Sequence, residues 1–132
     1  MVVDASVAFK WLLEEEGSDR AIRWAADQPL IAPTLLWAEI GNALLKKVRR
    51  GEIEASAARL AQKCLPSFVR GWHELADLVD PAFVLAVELD HPVYDCYYLA
   101  LAEARDVELL TADLRLIETC RGSRLEPRLR PL

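Results

Sequence analysis

Short apolar runs, each too brief for a helix, alternate along this chain with longer segments of helical periodicity. Met1–Asp4, Leu30–Ala32, Leu75–Val79 and Val107–Thr111 read as strands, with a further one near Arg124–Glu126. Between them, helices are expected over Ala5–Glu15, capped by Asp4 with Gly17 just beyond, and over Ser18–Asp27, capped by Ser18. A long helix over Thr34–Arg50 closes on basic residues and Gly51. Glu54–Phe68 is amphipathic, with a bend expected at Pro66, and Asp80-Pro81 opens a helix that runs to Leu89. After the break at His91-Pro92 come Val93–Arg105, apolar almost all round, and Ala112–Cys120, ended by Gly122. Apolar strands interleaved with helices imply an α/β fold around a parallel sheet. Such sheets place their sites outside the carboxyl ends of the strands.

A chain of 132 residues with no repeat, low-complexity tract or evident linker reads as a single domain over 1–132. Its 53% hydrophobic and 28% charged residues mark a compact protein rather than a disordered one. No apolar run approaches the roughly 20 residues of a membrane helix, and no signal peptide is visible, so a cytoplasmic protein away from the membrane is expected. Cys64, Cys96 and Cys120 are odd in number and widely spaced. A disulfide framework or zinc site is therefore not expected, and each reads as a small core hydrophobe. The net charge of −5 excludes coating of nucleic acid by bulk electrostatics. Two basic clusters stand out locally: Lys46, Lys47, Arg49 and Arg50, and the five arginines from Arg115 to Arg130. Either set has the chemistry to touch phosphates, or to be a solvated helix end or tail.

The chemistry lies in four acids. Asp95 is the only charged residue of its helix before Glu103. A helix apolar on every face is normally buried, and a lone carboxylate there is costly unless paired or bound to a cation. The competing reading is a first-turn carboxylate answering the helix dipole. Glu39 shares a helix face with Leu35, Leu36 and Ala43, so it either faces inward or borders the apolar stripe. Asp4 and Asp113 each follow a strand and read equally as helix caps. Topology favours a common purpose, because strand ends and helix starts of a parallel α/β sheet share one edge. Two unit charges about 4 Å apart repel by roughly 4 kcal/mol at an effective dielectric near 20, so a converged quartet would raise its own pKa values or hold a cation. Magnesium, a hard ion preferring oxygen ligands, suits metal-assisted phosphodiester hydrolysis. His73 and His91 read as structural or exposed.

The same residues carry a family resemblance. Four segments match in order: Val2-Val3-Asp4-Ala5-Ser6, Ala32-Pro33-Thr34-Leu35-Leu36-Trp37-Ala38-Glu39-Ile40-Gly41-Asn42, His91-Pro92-Val93-Tyr94-Asp95-Cys96-Tyr97-Tyr98-Leu99-Ala100-Leu101-Ala102, and Leu109-Leu110-Thr111-Ala112-Asp113. The chain resembles a PIN-domain ribonuclease, and specifically a VapC-type toxin of a type II toxin–antitoxin pair. The resemblance implies a three-layer α/β/α sandwich with a central parallel sheet of four or five strands. It also implies that Asp4, Glu39, Asp95 and Asp113 hold magnesium or manganese for endoribonuclease cleavage of RNA, with the Ser6 and Thr111 hydroxyls in support and Asn42 in a structural role. A homodimer and neutralisation by a VapB-like antitoxin are further implications. Many relatives carry another acid shortly after the position of Asp113; here Leu114, Arg115, Leu116 and Ile117 follow, so one ion is expected rather than two.

Two other readings compete with this one. A catalytically silent PIN-like module that binds RNA or protein has no reason to gather four acids, and a metal-stimulated cleavage assay separates it. A phosphoacceptor receiver domain would want clustered acids after the first strand and a late lysine, whereas no lysine follows Lys63.

Overall fold

The computed structural model describes residues 1–132. In chain order its elements are β1 (Val2–Val3), α1 (Ala5–Leu12), α2 (Ser18–Asp27), β2 (Leu30–Pro33), α3 (Leu35–Arg49), α4 (Ala55–Lys63) and β3 (Val69–His73). They continue as α5 (Val79–Leu89), α6 (Val93–Arg105), β4 (Leu109–Thr111), α7 (Leu114–Cys120) and β5 (Leu129–Pro131). All strand pairs are parallel, in the order β3-β2-β1-β4-β5. The chain winds outward from β1 to β3, returns past it to β4, and ends on β5. Right-handed crossovers then put α1–α4 on one face and α5–α7 on the other, giving an α/β/α sandwich. The switch point lies between β1 and β4, where Val2 pairs with Leu109 and Val3 with Leu110. The carboxyl ends of those two strands open the crevice in which such folds build sites.

The central strands are continuous apolar runs because helices cover both faces: Val2, Val3, Leu109 and Leu110 are wholly buried. Helix α6 lies across β1, β2 and β4 with α5 packed behind it. Being sandwiched in this way buries Cys96, Tyr98, Leu99, Ala100, Leu101 and Ala102. Buried Cys96 and Cys120 have thiols pushed up to about 11 by desolvation, so they are inert core groups. Cys64, expected in the core, is instead exposed at the end of α4. No helix is long and apolar enough to cross a membrane.

Departures from the sequence reading cluster at the edges. Leu75–Val79 is not a strand: Leu75–Leu78 forms a 3-10 turn and Val79 begins α5. The buried Leu78 side chain, with its apolar neighbours, imitated a strand. Asp80 and Pro81 are the second and third residues of α5 and neither caps it; Pro81 is tolerated because first-turn amides have no intrahelical partner. The third strand is Val69-Arg70-Gly71-Trp72-His73, an edge strand whose arginine, glycine and histidine hide its character. Gly71 lets the strands approach there: a Cβ would stand 3.0 Å from Ile31 Cγ2 in β2, beside an irregularity in that pairing, and the Ile31 side chain would have to give way. The last strand is Leu129–Pro131, not Arg124–Glu126; Leu125 is fully buried in a turn, and the proline is tolerated at the sheet edge.

Helix boundaries shift for local reasons. α1 stops at Leu12 with Leu13 extended, well before Glu15. Gly17, at φ +86°, precedes α2, and Ser18 does not cap it. Its hydroxyl instead accepts from the Glu15 amide at 3.0 Å and donates to the Leu13 carbonyl at 3.4 Å, tying the turn between the two helices. α4 ends at Lys63, and Leu65–Ser67 turns around Pro66 as a 3-10 segment, so the expected bend is a full break.

Candidate active site

Asp4 leaves the end of β1 and turns into α1 as its cap, its Oδ1 accepting from the Val7 amide at 3.2 Å. The Ser6 hydroxyl donates to the same oxygen at 2.6 Å, and the Thr111 hydroxyl donates to Oδ2. Each hydroxyl also accepts an amide from the loop after β4: Ser6 Oγ from Ala112 at 2.8 Å, Thr111 Oγ1 from Asp113 at 3.0 Å. A hydroxyl has one proton to give, and both spend it on Asp4. The ends of β1 and β4 are thereby stitched together through one carboxylate. Burial pushes that carboxyl up to about 6, against the hydrogen bonds from Ser6, Thr111 and Val7, and the charge of Asp95 adds to the rise.

Glu39 reaches the same edge from the second turn of α3. The phenol of Tyr98 on α6 donates to its Oε2. Burial raises the Glu39 carboxyl, the Tyr98 bond lowers it, and the charges of Asp95 and Asp4 raise it further. The Tyr98 phenol is itself held far above its ordinary range, by burial first and then by Glu39, so it stays a proton donor. Asp95, one helical turn before Tyr98, is part-buried. Its Oδ2 lies 2.7 Å from Nε2 of His91, and the other ring nitrogen of His91 lies 3.3 Å from the Thr119 hydroxyl on α7. With a Thr119 proton on Nδ1, His91 donates from Nε2 and fixes one oxygen of Asp95.

Three of the four acids therefore act on one another: Asp4 feels Asp95, and Glu39 feels both. Asp113 stands at the same edge, two residues after Thr111, but its carboxylate caps α7, accepting from the Arg115 and Leu116 amides at 2.8 and 3.2 Å. It is not among the charges acting on Asp4 or Glu39. Asn42 is exposed and bonds to nothing, so the structural role expected of it has no contact to rest on. Two participants escaped the sequence reading. Tyr98 needed tertiary contact across 59 residues. His91 was visible in principle, four residues before Asp95, and is buried as its structural reading required.

No ion pair with lysine or arginine neutralises Asp4, Glu39 or Asp95. Nor does any group of three or more His, Cys, Asp or Glu side chains stand in metal-holding geometry. Each carboxylate has turned to a donor within the fold: Asp4 to hydroxyls, Glu39 to a phenol, Asp95 to an imidazole. The donor set is nonetheless one of hard oxygens with uncompensated negative charge, which fits a hard divalent cation.

Comparison with known proteins agrees with this geometry. The model of the PIN domain family matches residues 1–122. The chain belongs to the PIN domain family. Ribonuclease VapC3 of Pyrobaculum aerophilum is 36% identical over 121 residues, covering 89% of this chain and 92% of that protein. A crystal structure of another protein from Pyrobaculum aerophilum superposes with a TM-score of 0.73 at 27% identity, over 92% of this chain and 85% of that one. A chain of a toxin–antitoxin complex from Klebsiella pneumoniae gives a TM-score of 0.69 over 98% of this chain and 94% of that one; at 15% identity this is a likeness of fold. In this PIN domain, as the strand order requires, Asp4 and Asp113 flank the switch point while α3 and α6 bring in Glu39 and Asp95.

Proposed function

We propose that this PIN domain is a divalent-cation-dependent endoribonuclease and the toxin of a cytoplasmic toxin–antitoxin pair, hydrolysing RNA phosphodiester bonds at Asp4, Glu39 and Asp95, with Asp113 at the border. The observation that carries the reading is the convergence of Asp4, Glu39 and Asp95, each acting on the others at the switch point, with no lysine or arginine paired to any of them. The VapC ribonucleases it resembles support the nature of the substrate. Magnesium or manganese held by these acids would activate water and stabilise charge on the phosphate. The chain's own part is positional. Ser6 and Thr111 fix Asp4 against the sheet edge, Tyr98 orients Glu39, and His91 leaves one oxygen of Asp95 free.

The test is cleavage of single-stranded RNA by purified protein with added magnesium or manganese. Cutting is expected, to stop with chelator, and to fall by about two to three orders of magnitude in Asp95→Asn and Glu39→Gln. Cleavage at the wild-type rate in either variant would remove that residue from the mechanism. No cleavage with either ion would leave the silent binding module as the better account.

A VapB-like antitoxin is proposed from the same resemblance, and so is a homodimer. The dimer has support in α5, whose Val79, Phe83, Val84 and Val87 are each more than half exposed along one flank. Sedimentation of the protein without antitoxin is expected to give a dimer at micromolar concentration, shifted toward monomer by Phe83→Glu. A monomeric wild type would refute it.

A further inference from the structure

Of the two basic clusters, the C-terminal one is paired within the fold at all of its arginines but the exposed Arg115. Arg121 pairs with Glu118 at 3.0 Å, Arg124 with Glu88 at 2.9 Å and also with Glu103, Arg128 with Asp106 at 3.0 Å, and Arg130 with Glu108 at 2.8 Å. Arg124, Arg128 and Arg130 thus pin the last strand and its approach onto α5, the end of α6 and the start of β4, while the Arg121 pair stays within α7. The α3 cluster is different. Lys46 is exposed and takes part in no ion pair, and Arg50 has only Glu52 at 3.8 Å. Lys47 is held by Glu52 at 2.6 Å and faces Glu15 at 3.9 Å.

These bases are next to the acids. An open groove of about 460 Å³ runs between α1 and α3, lined by Ser6, Phe9, Glu39, Asn42, Lys46 and Arg50 among others. Glu39, Asn42, Lys46 and Arg50 follow one another at three- and four-residue steps, so they form one stripe of α3. At about 1.5 Å per residue the stripe leads roughly 16 Å from the acids to the last base. One end is acidic and part-buried, the other basic and open. Between them lie an aromatic ring and an amide without a partner.

We propose that this groove is the path of the RNA strand into the site, with Lys46 and Arg50 holding backbone phosphates, Asn42 offering its amide to a base edge, and Phe9 providing a ring on which a base stacks. A free Lys46 and a loosely paired Arg50 beside acids that no lysine or arginine offsets give a polyanion a direction: phosphates are drawn to the basic end while the acids keep the cutting end for a cation-bound phosphate. An aromatic face in a basic groove is the usual platform for single strands. The assignment rests on the ribonuclease reading for the identity of the strand, not for the existence of the groove.

The experiment measures binding of a short fluorescent single-stranded RNA of mixed sequence to the Asp95→Asn protein, without divalent ion, across a salt series. Each phosphate contact on a single strand contributes about 0.7 to the slope of log affinity against log salt. Lys46→Ala/Arg50→Ala is expected to bind about tenfold more weakly at low salt and to flatten the slope by roughly 1.4. Phe9→Leu, which keeps an apolar side chain, is expected to weaken binding several-fold with the slope unchanged. Arg121→Ala/Arg128→Ala removes the same charge from the other cluster and is expected to bind like the parent. Unchanged affinity and slope in Lys46→Ala/Arg50→Ala would overturn the proposal, and so would an equal loss in the C-terminal pair. Cleavage separates the two readings. If the otherwise wild-type protein carrying Lys46→Ala/Arg50→Ala cuts RNA with unaltered KM, the groove fails and the ribonuclease stands. If the groove variants lose binding but the wild type never cuts, the groove stands and the ribonuclease fails.

Discussion

Asp4→Asn is expected to yield a folded protein that does not cut RNA, and, without metal at neutral pH, a more stable one than the wild type. Loss of a negative ligand should lower cleavage by about three orders of magnitude, the scale of several kcal/mol of charge stabilisation at the phosphate. The stability gain follows from burial. Asp4 is 6% exposed and its carboxyl is pushed up to about 6, so ionising it at neutral pH works against the fold. The asparagine oxygen can still accept from Val7 and Ser6, preserving the cap. Its amide, however, meets Thr111 Oγ1 where an acceptor stood, which orphans the Thr111 proton and trims the gain to about 1–2 kcal/mol. Asp4→Ala should behave oppositely, losing the cap at a cost of about 0.5–2 kcal/mol. Thermal melts beside cleavage assays separate the cases. An Asp4→Asn protein that melts well below wild type at neutral pH would show that Asp4 serves mainly as a structural cap.

The parts of the fold that were legible are those whose burial is uniform. Val2-Val3 and Leu109-Leu110 read as buried strands because nothing polar interrupts them, and α6 read as an interior helix because its one early charge, Asp95, stood out against apolar neighbours. The edge strands failed for the opposite reason. β3 carries Arg70 and Gly71, and β5 carries Arg130 and Pro131. An edge strand has one side unpaired, so polar, glycine and proline residues are tolerated there and the apolar pattern vanishes. Apolar Leu78 and Leu125, buried from turns, drew the expectation to the wrong segments.

Legibility of the candidate site divides in the same physical way. Asp4 and Asp113 were visible as strand-end residues with a capping chemistry, and both do cap helices. For Asp4 the cap coexists with coupling to other acids; for Asp113 the cap engages one oxygen, and no coupling to Asp4 or Glu39 appears. Sequence spacing cannot rank those two, because the difference lies in the depth at which each carboxylate sits. The hydroxyl stitches of Ser6 and Thr111 depend on a parallel pairing between residues more than 100 positions apart. Such contacts follow from topology alone. The hydroxyl, phenol and imidazole partners matter most for what the site does between catalytic events: they hold three carboxylates near one another when no cation is there to do so.

That arrangement makes the fold sensitive to pH and to metal in a linked way. The folded-state pKa of Asp4, about 6, stands above its ordinary 3.8. Between those values the native protein binds a proton that the unfolded chain has released, so stability is highest below about pH 4, falls as pH rises, and levels off above about pH 6. A shift of about two units corresponds to roughly 3 kcal/mol, and Glu39, raised for the same reason, acts in the same direction. Divalent cations bind the ionised carboxylates, so they should restore at neutral pH what deprotonation took away and do little in acid. Against Asp4→Asn as reference, which cancels the titration of groups not coupled to Asp4, the wild type without metal is expected to lose about 10 °C in melting temperature between pH ~4 and pH ~7. Saturating magnesium should recover much of that loss at the upper pH and shift the melt little at the lower one. A difference between the two proteins that is flat across this range would mean that Asp4 ionises as easily in the fold as outside it. An equal magnesium shift at both pH values would place the ion somewhere other than these carboxylates.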